Sequence, residues 1–176
     1  MLRLFVGIAL PPELKLRLSL LCSGVPEARW LDAGNFHLTL RFIGEVDEGV
    51  ASDIDGALLK IRARQFSLAL AGVGQFGTHS LWVGVEKSEP LLHLQGKVEA
   101  ALQRLGLPSE TRRYAPHVTL ARLRPPLGPR LQTFMIQHAL FRAEPFRVER
   151  FDLVASYLTK SGAIYEDQAE YELANG

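Results

Sequence analysis

Short apolar runs alternate with polar breakers along this chain, and the period of the apolar positions switches several times. Residues 2–10 are apolar and partly β-branched, which predicts a first strand. Pro11-Pro12 then opens a helix, since proline is tolerated in a first turn. Its leucines, Leu14, Leu16, Leu18, Leu20 and Leu21, make a broad face, and Gly24 and Pro26 end it. Residues 28–31 predict a short strand, Asp32-Ala33-Gly34-Asn35 is turn chemistry, and residues 36–43 predict another strand closed by Gly44-Glu45. Asp47 is placed to cap a helix through about residue 63, with Ile54, Leu58, Leu59 and Ile61 on its buried face.

Residues 66–73 and 81–85 predict two strands of a hairpin joined by a glycine-containing loop. Ser88 can cap a helix carrying Leu91, Leu94, Val98, Ala101, Leu102 and Leu105, stopped by Gly106 and Pro108. Residues 117–123 predict a strand, Pro125 to Pro129 a break, and residues 131–140 a short helix. Residues 146–157 and 163–173 predict a closing hairpin around Lys160-Ser161-Gly162. Strands and helices alternate only in part, and the hairpins demand antiparallel pairing, so the expected class is α+β and not a doubly wound parallel sheet.

The 176 residues fit one domain, or two small lobes packed closely together; no low-complexity linker divides them. Twenty basic and nineteen acidic residues leave a net charge of +1. That balance argues against binding long nucleic acid by bulk charge, while allowing a nucleotide or an RNA end in a local pocket. Cys22 is the single cysteine, so neither an intrachain disulfide nor a cysteine-based metal site is available, and it reads as a small buried residue in a reducing, cytoplasmic setting. The apolar start lacks a small-x-small cleavage site before Pro11-Pro12-Glu13 and reads as a strand, not a signal peptide. No apolar run approaches the roughly 18 residues of a membrane span.

The candidate chemistry lies in two matched segments. Phe36-His37-Leu38-Thr39-Leu40 and Pro116-His117-Val118-Thr119-Leu120 place threonine two residues after histidine and leucine after the threonine. In a strand, residues i and i+2 share a face. His37 and Thr39 therefore project together, as do His117 and Thr119, while Leu38, Leu40, Val118 and Leu120 anchor the other face. Two such strands around one cleft supply two imidazoles and two hydroxyls. Because histidine titrates near pH 6.5, one ring can start neutral and the other protonated, moving two protons in one displacement. The hydroxyls can hydrogen-bond phosphate oxygens without a metal.

His79, His93 and His138 lack the threonine partner and read as surface or packing residues; no histidine spacing suggests zinc. Gly72-Val73-Gly74-Gln75-Phe76-Gly77 fits G-x-G-x-x-G, but a dinucleotide fingerprint must open a helix, and the strand-like Leu81-Trp82-Val83-Gly84-Val85 follows. The segment reads as a turn. No cofactor or metal is expected.

With these motifs the chain resembles the two-histidine phosphoesterase superfamily, and within it the bacterial and archaeal RNA 2',3'-cyclic phosphodiesterases, also called 2'-5' RNA ligases. The resemblance runs through Arg3-Leu4-Phe5-Val6-Gly7-Ile8, Arg29-Trp30-Leu31, residues 35–45 around the first motif, Gly74-Gln75-Phe76, residues 81–85 and Pro116-His117-Val118-Thr119-Leu120-Ala121-Arg122. It implies a single bilobal domain over residues 1–176: two pseudo-symmetric lobes, each an antiparallel sheet with helices outside, and a cleft between them.

The resemblance also implies hydrolysis of an RNA 2',3'-cyclic phosphate end, or of a small cyclic nucleotide, to a 2'-phosphomonoester. In that carry-over His37 is the proton donor, His117 the acceptor, and Thr39 and Thr119 hold the phosphate. Arg122 matches a phosphate-contacting arginine, although strict alternation from Thr119 turns it away unless the strand bends. Phe5 and Phe42 are candidate base-stacking neighbours, against a competing reading of both as core residues. No membrane and no obligate protein partner is implied. The same cleft could instead ligate cyclic-phosphate and 5'-hydroxyl ends, or bind nucleotides without turnover.

Overall fold

A strand forms at the start of the chain because Leu4, Val6 and Ile8 alternate onto one face, where all three are buried. The structure, a computed structural model, describes residues 1–175. The elements run β1 (Leu2–Ala9), α1 (Pro12–Ser19), β2 (Ala28–Trp30), a single 3-10 turn (Ala33–Asn35), β3 (His37–Val46), α2 (Glu48–Leu59), β4 (Phe66–Leu68), β5 (Leu70–Phe76) and β6 (Ser80–Val85). They continue with α3 (Glu89–Arg104), β7 (His117–Leu123), α4 (Pro129–Gln137), β8 (Phe146–Val148), β9 (Arg150–Thr159) and β10 (Gly162–Glu172).

The strands form two four-stranded sheets, ordered β10-β9-β1-β3 and β2-β7-β6-β5, and a small β4-β8 pair. All named pairings are antiparallel. This is the expected α+β class. The two sheets repeat one plan: β1-α1-β3-α2 in the first is matched by β6-α3-β7-α4 in the second. Leucine-rich helix faces cover the sheets. In α3, Leu91, Leu94, Val98 and Leu102 follow helical spacing and are buried, and Ser88 Oγ caps the first turn by accepting from the Leu91 N–H. Asp47 does the same for α2 through the Val50 N–H.

Several boundaries differ from the pattern. The first helix stops at Ser19, because only Leu14 and Leu18, four residues apart, reach the core, while Leu16 and Leu20 point to solvent. Likewise α2 ends at Leu59, which is exposed. β3 continues through Gly44-Glu45 to Val46. The runs 66–73 and 146–157 are each cut in two, at Ala69 and Glu149, because their first halves pair with each other as β4-β8 while their second halves join the large sheets. The segment 72–77 is largely strand: Gly72 to Phe76 belong to β5, and only Gly77 lies in the turn to β6. Cys22 is half-buried and not in the core, with Sγ donating to Leu18 O at 3.3 Å and burial pushing the thiol up to about 11.

The two sheets meet at β3 and β7. β2 pairs only with Ala121 to Leu123, so the motif end of β7 is paired by β6 on one edge and left unpaired by β2 on the other. Among the described residues, no helix is long and apolar enough to cross a membrane.

Candidate active site

Each motif sits at the first residues of its strand, where the chain leaves a turn. His37 opens β3 and His117 opens β7. In both cases Nδ1 is bonded to the carbonyl two residues back: Asn35 O at 2.8 Å for His37, and Ala115 O at 2.7 Å for His117. A carbonyl can only accept, so Nδ1 carries the proton in both rings and Nε2 is the atom left for chemistry. His37 Nε2 meets Thr39 Oγ1 at 2.9 Å, an imidazole–hydroxyl pair on one strand face.

The register reveals why these faces match. Ala9, Gly7 and Phe5 of β1 stand opposite His37, Thr39 and Phe42; Gly84, Trp82 and Ser80 of β6 stand opposite His117, Thr119 and Arg122. In each pair the motif strand carries an extra residue straight after the threonine, Leu40 in β3 and Leu120 in β7, and β3 carries a second further on, Ile43. Such a bulge resets the alternation. Arg41 and Ala121 are therefore buried, while Phe42 and Arg122 return to the face of the motif residues. The bend that Arg122 required is thus present, and Phe42 occupies the equivalent place in the first lobe. Arg122 lies close enough to influence the Tyr165 hydroxyl, which burial pushes up and which Arg122 and Arg3 pull back.

Phe5 and Phe42 part company. Phe5 is 3% exposed and stacks on His37, ring centroids 4.5 Å apart, so its face is already occupied. Phe42 is 62% exposed on the cleft side, which contradicts the core reading for it. Tyr165 packs edge-on against His37 at 5.0 Å, and Phe76 packs edge-on against His117 at 4.7 Å with Trp82 at 6.0 Å. Trp82 can lie flat over the sheet because its cross-strand neighbour is Gly74; a Cβ there would stand 2.2 Å from the indole. That requirement is the structural reason for the glycine in the segment that imitates a dinucleotide loop. Gly7 likewise lets β1 approach His37, since a Cβ would meet Leu38 O at 3.0 Å and the imidazole at 3.5 Å.

Burial lowers the pKa of both histidines. For His37 the charges of Lys15 and His117 act in the same direction, against the bond to Asn35; for His117 only the bond to Ala115 opposes burial. The strands that carry the two rings, β3 and β7, are in contact. A network behind the motifs holds them in place. Tyr114 Oη donates to Thr39 O at 2.8 Å, tying the segment before the second motif to the strand of the first. Arg41, turned inward by the bulge, pairs with Glu99 of α3 at 2.6 Å and donates to the carbonyls of Phe42 and Pro108. Neither Tyr165, Trp82, Tyr114 nor the Arg41–Glu99 pair was visible as site structure in the sequence; Tyr165 packs on His37, Trp82 faces Thr119, Tyr114 bonds Thr39 and Arg41 pairs with Glu99, all contacts between residues far apart along the chain.

Beside His37 is a cavity of about 210 Å³ walled by Phe5, Tyr165, Lys15, Gly34, Asp152 and Asp167, among others. Asp152 is only 3% exposed and its Oδ1 has no hydrogen-bond partner. Burial first, then the negative charge of Asp167, pushes this carboxyl up to about 6 despite Arg150. A folded-state value above the unfolded one means that ionising Asp152 costs stability: the penalty is absent below about pH 4 and complete above about pH 6. Asp152→Asn is expected to stabilise the protein by about 1–3 kcal/mol at pH 7.5, a gain that vanishes near pH 4. Urea unfolding at the two pH values checks it. His79, His93 and His138 lie in a turn, on α3 and at the end of α4, and none of them lines the cavity beside His37. Among the described residues no three His, Cys, Asp or Glu side chains cluster to hold a metal.

Fold and site together define a two-lobed, two-histidine architecture with one imidazole and one threonine hydroxyl from each sheet. The profile of the family described as the 2'-5' RNA ligase superfamily matches residues 24–159, and the chain belongs to that family. It is 35% identical over 92% of its length to an RNA 2',3'-cyclic phosphodiesterase of Aeropyrum pernix, covering 94% of that protein. A second relative of the same description, from Thermotoga maritima, is 30% identical over 99% of this chain and 97% of its own. Among solved structures, E. coli LigT complexed with 3'-AMP superposes with a TM-score of 0.83 at 25% identity, covering 98% of each chain.

Proposed function

We propose that the protein hydrolyses 2',3'-cyclic phosphate ends of RNA to 2'-phosphomonoesters, without a metal, by paired action of His37 and His117. The observation that carries this is the matched fixing of both Nδ1–H groups on backbone carbonyls, which leaves two Nε2 atoms for the reacting oxygens. His117 Nε2 takes a proton from the attacking water. His37 Nε2, protonated, gives one to the departing 3'-oxygen. The P–O3' bond breaks as the new P–O bond forms, and the product keeps its phosphate on the 2'-oxygen. Thr39, Thr119 and Arg122 hold the non-bridging oxygens, and Phe42 offers an exposed ring to a base. The reading is supported by the activity that the relatives' names carry and by the nucleotide held by E. coli LigT. Which histidine donates follows the family resemblance.

The test is incubation of the protein and EDTA with a cyclic-phosphate-ended oligonucleotide and a 5'-hydroxyl RNA, followed by product identification. A 2'-phosphate with full activity in EDTA is expected; a joined RNA would make ligation the reaction, and no turnover would remove the enzyme. The pH profile adds a second test. Burial lowers both histidine pKa values, so the kcat/KM bell is expected to peak on the acid side of pH 6.5. The kcat profile should lie higher, because bound phosphate favours imidazolium.

A further inference from the structure

The cavity beside His37 contains a feature that the phosphodiester chemistry does not use. Asp152 stands on β9 opposite Gly7, which in turn stands opposite Thr39, so its side chain lies on the same sheet face as the first motif. Its Oδ1 is buried and without a hydrogen-bond partner. The nearest cation, Arg150 Nε, is 3.7 Å away, beyond hydrogen-bond reach, and it is also 3.8 Å from Glu170. A buried acceptor left unpaired is costly, and proteins keep such groups where a ligand will pair them. Across the same cavity Lys15 Nζ is steered to the wall by donating to Gly34 O at 3.4 Å. Phe5 and Tyr165 add aromatic surface.

The cavity, about 210 Å³, has room for a planar bicyclic ring. The polar groups discriminate among rings. A carboxylate only accepts and an ammonium only donates. Guanine presents an oxygen acceptor followed by two N–H donors along its Watson–Crick edge, matching an ammonium beside a two-oxygen carboxylate. Adenine and cytosine each place a ring-nitrogen acceptor beside their amine, and uracil has one donor between two acceptors; all three set a lone pair against the carboxylate.

We infer that this cavity is a base-reading subsite in which Asp152, with Lys15, selects guanine as the terminal base of the RNA whose cyclic phosphate lies at His37. The inference rests on the phosphodiesterase reading, since His37 itself lines the cavity and would hold the phosphate of that same nucleotide. A site built on buried hydrogen-bond partners rejects ligands that fail to pair with it far more strongly than an apolar pocket does.

The experiment measures kcat/KM for the four nucleoside 2',3'-cyclic phosphates on the native protein and on Asp152→Asn. The asparagine is isosteric, and because it removes a destabilising buried charge the variant should fold with a raised Tm. Native protein is expected to favour the guanosine substrate over the uridine one by at least about 10-fold. In D152N that ratio should collapse by about 10- to 100-fold, the scale of charge-assisted hydrogen bonds. Calorimetric binding of guanosine and uridine 2'-monophosphates to both proteins reads the cavity without turnover, and guanosine should bind tighter to the native protein alone. Equal handling of all four bases by the native protein, or an equal loss on all four in D152N, overturns the subsite while leaving the phosphodiesterase intact. Absence of turnover overturns the phosphodiesterase reading, and the binding measurement then still decides for or against guanine.

Discussion

Alanine at either His37 or His117 is expected to lower kcat/KM by about 10²- to 10⁴-fold, the range for loss of a positioned acid or base. On the proposed mechanism the fall should appear mainly in kcat, because it assigns proton transfer in the transition state to the rings and phosphate binding to Thr39, Thr119 and Arg122, which the variants keep. The two losses should not add. Once one proton transfer is gone, the second histidine has little left to assist, so the double variant should be scarcely slower than the worse single one. Each ring also packs on aromatic neighbours: His37 on Phe5 and Tyr165, His117 on Phe76. Melting curves recorded alongside the kinetics separate a lost proton carrier from a loosened wall. Full activity in either variant with an unchanged Tm would remove that histidine from the reaction.

How much of this was legible beforehand differs between the two halves of the site. The motif pairs were legible, because i, i+2 alternation is a local property and survives any tertiary arrangement. Arg122 and Phe42 were named only through the family resemblance, because alternation breaks at Leu40 and Leu120, and a bulge is fixed by the partner strand's register, not by the bulged residues alone. Arg41 illustrates the consequence: read by alternation it faces the cleft, whereas the bulge turns it inward to Glu99, 58 residues away. Asp152 reaches the site because β9 pairs with β1 at the opposite end of the chain, and Tyr165 follows on β10, which pairs with β9. Nothing near them in sequence marks them. The splits at Ala69 and Glu149 failed for the same reason: each run looks continuous, and only the β4-β8 pairing divides it. Helices were located well, since Asp47 and Ser88 announce their starts by capping chemistry; their ends depended on which leucines found the core.

The second large effect is expected behind the cleft. Arg41 is 8% exposed and its guanidinium joins Glu99 of α3 to the carbonyls of Phe42 and Pro108. Glu99 in turn accepts from the Glu110 N–H at 3.0 Å, so one ion pair fixes residues 105–116, the segment that carries Tyr114 and leads into His117. Arg41→Ala leaves a largely buried carboxylate without its partner and should destabilise by about 3–5 kcal/mol, roughly 10 °C or more in Tm for a chain of this size. The Arg41→Ala, Glu99→Ala double variant should lose less than the sum of the singles, because neither charge is then stranded. The sign with pH follows from Glu99: burial raises its pKa, but the bonds from Arg41 and from the Glu110 backbone outweigh burial and hold it below the usual carboxylate value. Its stabilisation is therefore present above about pH 4.5 and lost as pH falls through the lower folded-state value. Native protein should show that acid-limb loss in urea titrations, and Glu99→Gln should show a shallower one. Activity should fall as well, by about 10-fold under conditions where Arg41→Ala remains folded, because a small displacement of His117 spoils in-line proton transfer. If the variant keeps native Tm and rate, the pair is a surface contact and the loop before the second motif is held by Tyr114 alone.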